Sequence, residues 1–342
     1  MVVMRNIIIW LLVIAVGCLT GFAQSNSVAK DSINNLILPK GYKTSIIGEV
    51  PRYQKVGKGR QALILIPGIG FNETVFNDFV TAFKNNYVLY SITVAGFGKT
   101  SAPPTPAPET SFGDQTWNRS AIQGIKNLIE KEQIVKPIIV GHFTLGTQLA
   151  LRFVLDYPDL VSGLIILGGP AKLIATQNGQ PMDYPLNGLI NYTDRVTAPK
   201  FFKGMNEQAF NSGNYLPEVY SLTSGIGSRL WNEVAANPLP VMVRYLCEFH
   251  ASDLRLETDR IKCPVLILRP GFTNELLSHP ENPNTNYIKL QFIDGWQPVV
   301  KSNPEIEIID IQNSGAFLWK DQPEKTYKEI NHFIETKIRT IK

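Results

Sequence analysis

From residue 42 onward, short apolar runs alternate with longer stretches in which apolar positions recur every three or four residues. Uninterrupted apolar runs read as strands buried on both faces, and the 3.6-residue period reads as helices packed over them. The strands predicted this way are 62–66, 88–94, 137–140, 163–167, 261–268 and 305–311. Residues 44–56, turned by Gly57-Lys58-Gly59, read as the opening arm of a hairpin. Helices are expected at 73–83, from a cap at Asp114 to residue 132, at 144–157 and at 323–341. Each carries one apolar face, for example Ile122, Ile125, Leu128 and Ile129. Between 171 and 256 no clear strand remains, and patches such as 215–222 and 239–249 are helix-like. The pattern implies an α/β protein with a mostly parallel, doubly wound sheet. Residues 42–170 and 257–342 would form its core and 171–256 an inserted helical cap.

The first residues follow another logic. Arg5 precedes the apolar run Ile7–Val16, and small residues follow at Gly21 and Ala23 before polar Gln24 and Ser25. This is the order of a secretory signal, so residues 1–23 are expected to be removed and the protein to be periplasmic or secreted. The apolar run is shorter than the roughly 20 residues a membrane span needs. Ala15-Val16-Gly17-Cys18 also resembles a lipoprotein box, which would lipidate Cys18 and attach the protein to a membrane.

Composition narrows the picture a little. The 342 residues are 44% hydrophobic and 18% charged with a net charge of +4, and basic residues form no long run. Nothing there points to nucleic acid. No zinc-type Cys/His cluster occurs, and neither a metal nor a cofactor is expected. After signal removal Cys247 and Cys263 remain; they either pair in an oxidising compartment or serve as small apolar residues.

Four motifs stand in order along the chain: Ile66-Pro67-Gly68-Ile69-Gly70, Ala95-Gly96-Phe97-Gly98, the turn Gly141-His142-Phe143-Thr144, and Asn313-Ser314-Gly315-Ala316-Phe317. Together with Leu155-Asp156-Tyr157-Pro158 they resemble the α/β-hydrolase superfamily in its cap-bearing branch, over nearly all of residues 42–342. The resemblance implies an oxyanion loop at 67–70, a nucleophile on the 141–144 turn, an acid after strand 265–268 and a histidine on the 313–317 loop.

At each catalytic position the residue is of the wrong kind. The nucleophile position is Phe143, and a benzyl group cannot attack a carbonyl. The family has glycine two residues before and after the nucleophile. Here Gly141 is kept, Leu145 replaces the second, and Gly146 follows one residue later. The acid position falls on Thr273 or Asn274, neither of which can balance an imidazolium as a carboxylate does. The base position is Ala316, which forfeits general-base help of about 10²–10⁴-fold. A bulky residue on a turn that demands positive φ is itself costly.

The expected function is therefore that of a pseudo-hydrolase. Its inherited pocket, walled by Gly68, Ile69, Gly70, His142, Phe143, Thr144, Ala316 and Phe317, would hold a small apolar molecule or a protein partner. Cap aromatics Tyr184, Tyr192, Phe201, Phe202, Tyr215, Tyr220 and Trp231 would line that space or form the cap's own core. The alternative is an active ester hydrolase or lyase rebuilt around Thr144, His250, His279 or Glu275, the last two spaced four apart as on one helical turn. In a third arrangement the Phe143 ring fills the old site and the fold serves as a scaffold.

Overall fold

A computed structural model describes residues 44, 46–174, 176–177, 180–181, 184–204, 206, 208, 216–277, 288–303 and 305–338. The signal-like segment, Cys18 and His279 lie outside them. Among the described residues one sheet has seven strands: β1 (Arg52–Gly57), β2 (Ala62–Ile66), β3 (Val88–Thr93), β4 (Ile138–His142), β5 (Gly163–Leu167), β6 (Val265–Pro270) and β7 (Ile306–Ile311). Their order is β1-β3-β2-β4-β5-β6-β7, and every pairing except β1 with β3 is parallel.

Burial explains the order. β2, β4 and β5 are wholly buried and take the centre, where a parallel sheet is covered on both faces. β1 has only exposed and half-buried residues, which suits an edge. This corrects the expected hairpin. β1 turns at Gly57 (φ 107°) but pairs with β3, because both sides of the all-apolar β2 are taken by β3 and β4.

The helices that bear on the site are α1 (Asn77–Phe83), α2 (Thr116–Lys131) and α3 (Phe143–Asp156). Between β5 and β6 lie α4 (Leu186–Tyr192), α5 (Ala198–Gly204), α6 (Ile226–Ala235) and α7 (Leu239–His250). We call this segment the insert. It is helical as expected, except for a two-residue antiparallel ribbon, Thr176–Gln177 with Gln180–Pro181. The last helix, α8 (Pro323–Lys337), ends four residues earlier than its apolar pattern suggested.

Carboxylates from distant positions tie the insert to the core. The Asp321 carboxylate accepts hydrogen bonds from Ser221 Oγ at 2.5 Å, the Leu222 and Thr223 amides at 3.0 and 3.1 Å, and the Gly315 amide at 2.8 Å. Asp194 accepts from Ser111 Oγ and the Phe112 amide. The cap expected from Asp114 is supplied instead by Glu248 of α7. Its carboxylate accepts from the amides of Trp117 at 3.0 Å and Asn118 at 2.9 Å, the free donors of the first turn of α2. Asp114 sits in a preceding 3₁₀ turn, and Gln115 at φ 54° leads into the helix. Glu248 is fully buried and also pairs with Arg244 at 3.0 Å.

Cys247 and Cys263 are both free and buried. Burial raises the Cys247 thiol and pushes Cys263 up to about 12, so both serve here as apolar core residues rather than reactive groups. No helix among the described residues is long and apolar enough to cross a membrane.

Removing the buried cap should be severe, because it strands a cation and two amides. Glu248→Ala is expected to cost about 3–5 kcal/mol, read as a lower denaturant midpoint. An unchanged midpoint would mean that the α2 terminus finds other partners.

Candidate active site

Parallel strands deliver their following loops to one edge of the sheet, where doubly wound folds carry their sites. The turn from β4 into α3 has the backbone of a nucleophile elbow. Phe143 sits at φ 52°, a left-handed conformation that bulky residues rarely adopt. Glycines enforce the turn. A Cβ on Gly141 would lie 2.5 Å from Ala150 Cβ and 2.5 Å from Gly146 O; one on Gly146 would lie 2.4 Å from Ile66 O. Gly146 thus supplies the close approach expected of a glycine at the buried Leu145.

The oxyanion-type loop lies against this residue. A Cβ on Gly68 would come 2.7 Å from Phe143 Cβ, so only glycine lets the Phe143 side chain through. Beyond it the ring meets Tyr220 of the insert at 5.3 Å between centroids and stacks on Phe292 at 6.0 Å. Tyr220 in turn contacts Phe71, Phe317 and Trp231. The expected pocket residues are therefore brought together, but as neighbours in a packed aromatic cluster. Ile69, His142, Phe143, Thr144, Ala316 and Phe317 are all buried.

The base position is held by the insert. Ala316 N donates to Val219 O at 2.8 Å and Phe317 N to Tyr220 O at 2.9 Å, so the single turn Pro217–Tyr220 lies directly on this loop. At the acid position, Thr273 Oγ1 accepts from the Leu276 amide at 3.1 Å and caps the short turn Asn274–Leu277, while Asn274 and Glu275 are exposed. The residue buried at that corner is Phe272 (φ 48°), whose ring packs on Phe292. Sequence reasoning missed Phe292, which shows no motif and reaches the site only through tertiary packing.

His142 is enclosed by rings, with centroids of Phe317 at 4.3 Å, Trp319 at 4.8 Å and Phe76 at 5.9 Å. Neither ring nitrogen makes a hydrogen bond of normal geometry. Desolvation lowers its pKa to about 3, outweighing a weak upward pull from the Ala316 backbone, so the ring is neutral at physiological pH. Thr144 Oγ1 is buried without a partner, so no base is positioned to activate it. His250 packs on Phe201 at the end of α7, where burial lowers its pKa to about 4.

Relatives agree with the fold. No family model matches the chain. A pimeloyl-[acyl-carrier protein] methyl ester esterase of Proteus mirabilis is 21% identical over 227 residues, covering 63% of this chain and 76% of the esterase. Uncharacterised proteins of Mycobacterium tuberculosis and Mycobacterium bovis are 27% identical over 113 residues, so the match spans only 30% of their length. Among solved structures, a hydrolase from Pseudomonas aeruginosa superposes with TM-score 0.61 at 14% identity, over 82% of this chain and 93% of that one. An esterase from Exiguobacterium antarcticum gives 0.60 at 16% identity, over 86% and 100%. MenH from S. aureus gives 0.60 at 14% identity, over 83% and 98%. The chain has the α/β-hydrolase fold.

Burial of His142 has a pH signature. Between its ordinary value of 6.5 and its folded value of about 3, the unfolded chain binds a proton that the folded chain refuses. Its contribution to stability is complete above that window and falls by up to about 1.4 kcal/mol per pH unit on acidification through it. His142→Leu should flatten the stability–pH curve below 6.5 relative to wild type; parallel curves would assign the acid loss elsewhere.

Proposed function

We propose that this protein is a pseudo-hydrolase, a hydrolase fold that works by binding rather than by acyl transfer. The observation that carries the reading is Phe143. It occupies the left-handed elbow position at φ 52° with its ring packed against Tyr220, where a nucleophile and its substrate would need to be. Support comes from Ala316 and Thr273, whose surroundings use them for backbone pairing and helix capping. The esterase and hydrolase names of its relatives describe those proteins, and at 21% identity or below they carry the fold alone. The Tyr220 ring stands 5.3 Å from the Phe143 ring, so a ligand in the old centre would lie against both. The Arg5-to-Ala23 pattern supports export, with residues 1–23 removed.

The decisive experiment is turnover of short-chain p-nitrophenyl esters by the purified exported chain and its Thr144→Val variant. Both are expected to match a buffer blank. Hydrolysis by wild type that disappears in Thr144→Val would overturn the reading and identify a rebuilt nucleophile.

A further inference from the structure

A cleft of ≈ 720 Å³ opens between the start of β1, the loops after β2 and β3, and the link from α6 to α7. That volume lies within the range of small-molecule sites, about 300–1,000 Å³. Of the residues expected to wall the old centre, Gly70 is shared with this cleft, whereas Phe143, Thr144, Ala316 and Phe317 take no part in it. Asn237 Nδ2 donates to Gly70 O at 2.7 Å and ties the α6–α7 link to the loop after β2.

Donors line the core side of the cleft. Arg52 is held in place, with Nε 2.8 Å from the Glu73 carboxylate and Nη2 donating to Gly98 O at 3.1 Å. Glu73 is buried and also bonded to the Thr93 hydroxyl, so this ion pair is fixed and neutral. Lys99 follows Gly98 at φ 65°, a left-handed conformation that strains a lysine. Its side chain is exposed and forms no ion pair among the described residues. Asn72 Oδ1 accepts from the Thr74 amide at 2.9 Å and hydroxyl at 2.7 Å, which sets the amide's orientation and leaves Nδ2 as a donor without a bond. The insert supplies one carboxylate, Glu233, in the last turn of α6. A negative charge there opposes the helix dipole, which favours a cation. Arg229 and Lys320 act on Glu233 only from beyond ion-pair distance, and Lys320 is engaged by Asp78 at 2.8 Å.

We infer that this cleft is a binding site for a small zwitterion carrying both a carboxylate and an ammonium group, of the amino-acid or short-peptide class. Its carboxylate takes Lys99, Arg52 and the Asn72 amide, and its ammonium takes Glu233 at the negative end of α6. With Arg52 and Glu73 paired, one cation and one carboxylate remain to be matched, so a plain anion or a plain cation leaves one of them unmet. The site stands whether or not the elbow turns over esters, and it is tested by binding.

The test is calorimetric titration of the purified chain with glycine, diglycine and triglycine, followed by the N-acetylated and the C-amidated form of whichever binds tightest. Saturable binding of at least one zwitterion is expected, with each blocked form about tenfold weaker or worse. Glu233→Gln should bring the free and acetylated ligands to equal affinity. Lys99→Gly, which suits the left-handed backbone and so keeps the fold, should do the same for the free and amidated ligands. No saturable binding by any of the three would overturn the assignment. So would equal binding of the acetylated form to wild type, the mark of a plain anion site, or of the amidated form, the mark of a plain cation site. Unchanged ligand preference in either variant would overturn it as well.

Discussion

The close approach of α3 to the central strands fixes the rest of this site. Gly141 and Gly146 leave no room for a Cβ between β4, α3 and the end of β2, and the chain can enter α3 only through a sharp turn. Phe143 is therefore forced to φ 52°, a conformation costing of order 1–3 kcal/mol that persists because its surroundings over-determine it. In an active hydrolase such strain is read as part of the catalytic device. Here the same backbone carries a side chain without chemistry, so the strain belongs to strand–helix packing.

Once the turn is fixed, the side chain at 143 must point over the sheet edge, and its character decides what can surround it. A polar centre there would need every buried donor and acceptor satisfied. A phenyl ring needs only contact area, and distant segments supply it: Tyr220 from the insert and Phe292 before β7, with Phe71 and Phe317 packed on Tyr220 and Trp319 on Phe317. Aromatic pairs at these spacings add about 0.5–1.5 kcal/mol beyond buried area. The insert is thereby bonded in place as well as packed, because its backbone at Val219 and Tyr220 accepts from Ala316 and Phe317.

What could be read from sequence followed the reach of local pattern. The all-apolar strands and the elbow turn lie in short continuous segments, and they were found where expected. Pairing of β1 was misread because strand neighbours are set by competition for the centre of the sheet, which no single segment encodes. The cap of α2 was misassigned to the nearby Asp114 because Glu248 lies 130 residues away along the chain. Phe272 and Phe292 went unnoticed since a lone aromatic in a loop or irregular helix looks the same whether it plugs a site or covers a surface. The aromatic insert residues divided as packing allowed. Tyr220 reached the old centre, Tyr184 and Tyr192 stacked on each other, and Phe201 went to His250.

Unpartnered polar atoms are buried in two regions, around the elbow and beside α2. Around the elbow, His142, Thr144 and Thr147 have none of their ring nitrogens or hydroxyls bonded, and they are closed in by rings and backbone. A Cβ on Gly169 would lie 1.7 Å from Thr147 Oγ1, so that hydroxyl is sealed by the β5 loop itself. Such groups cost about 1–3 kcal/mol each. The penalty there is tolerated within a large apolar cluster, as a neutral His142 illustrates. Asn118 Oδ1 and Gln148 Oε1 carry the same kind of penalty, within a network that otherwise uses its hydrogen-bonding capacity closely. In both regions the unpaired atoms are closed off from solvent, so the packing around them must offset the penalty.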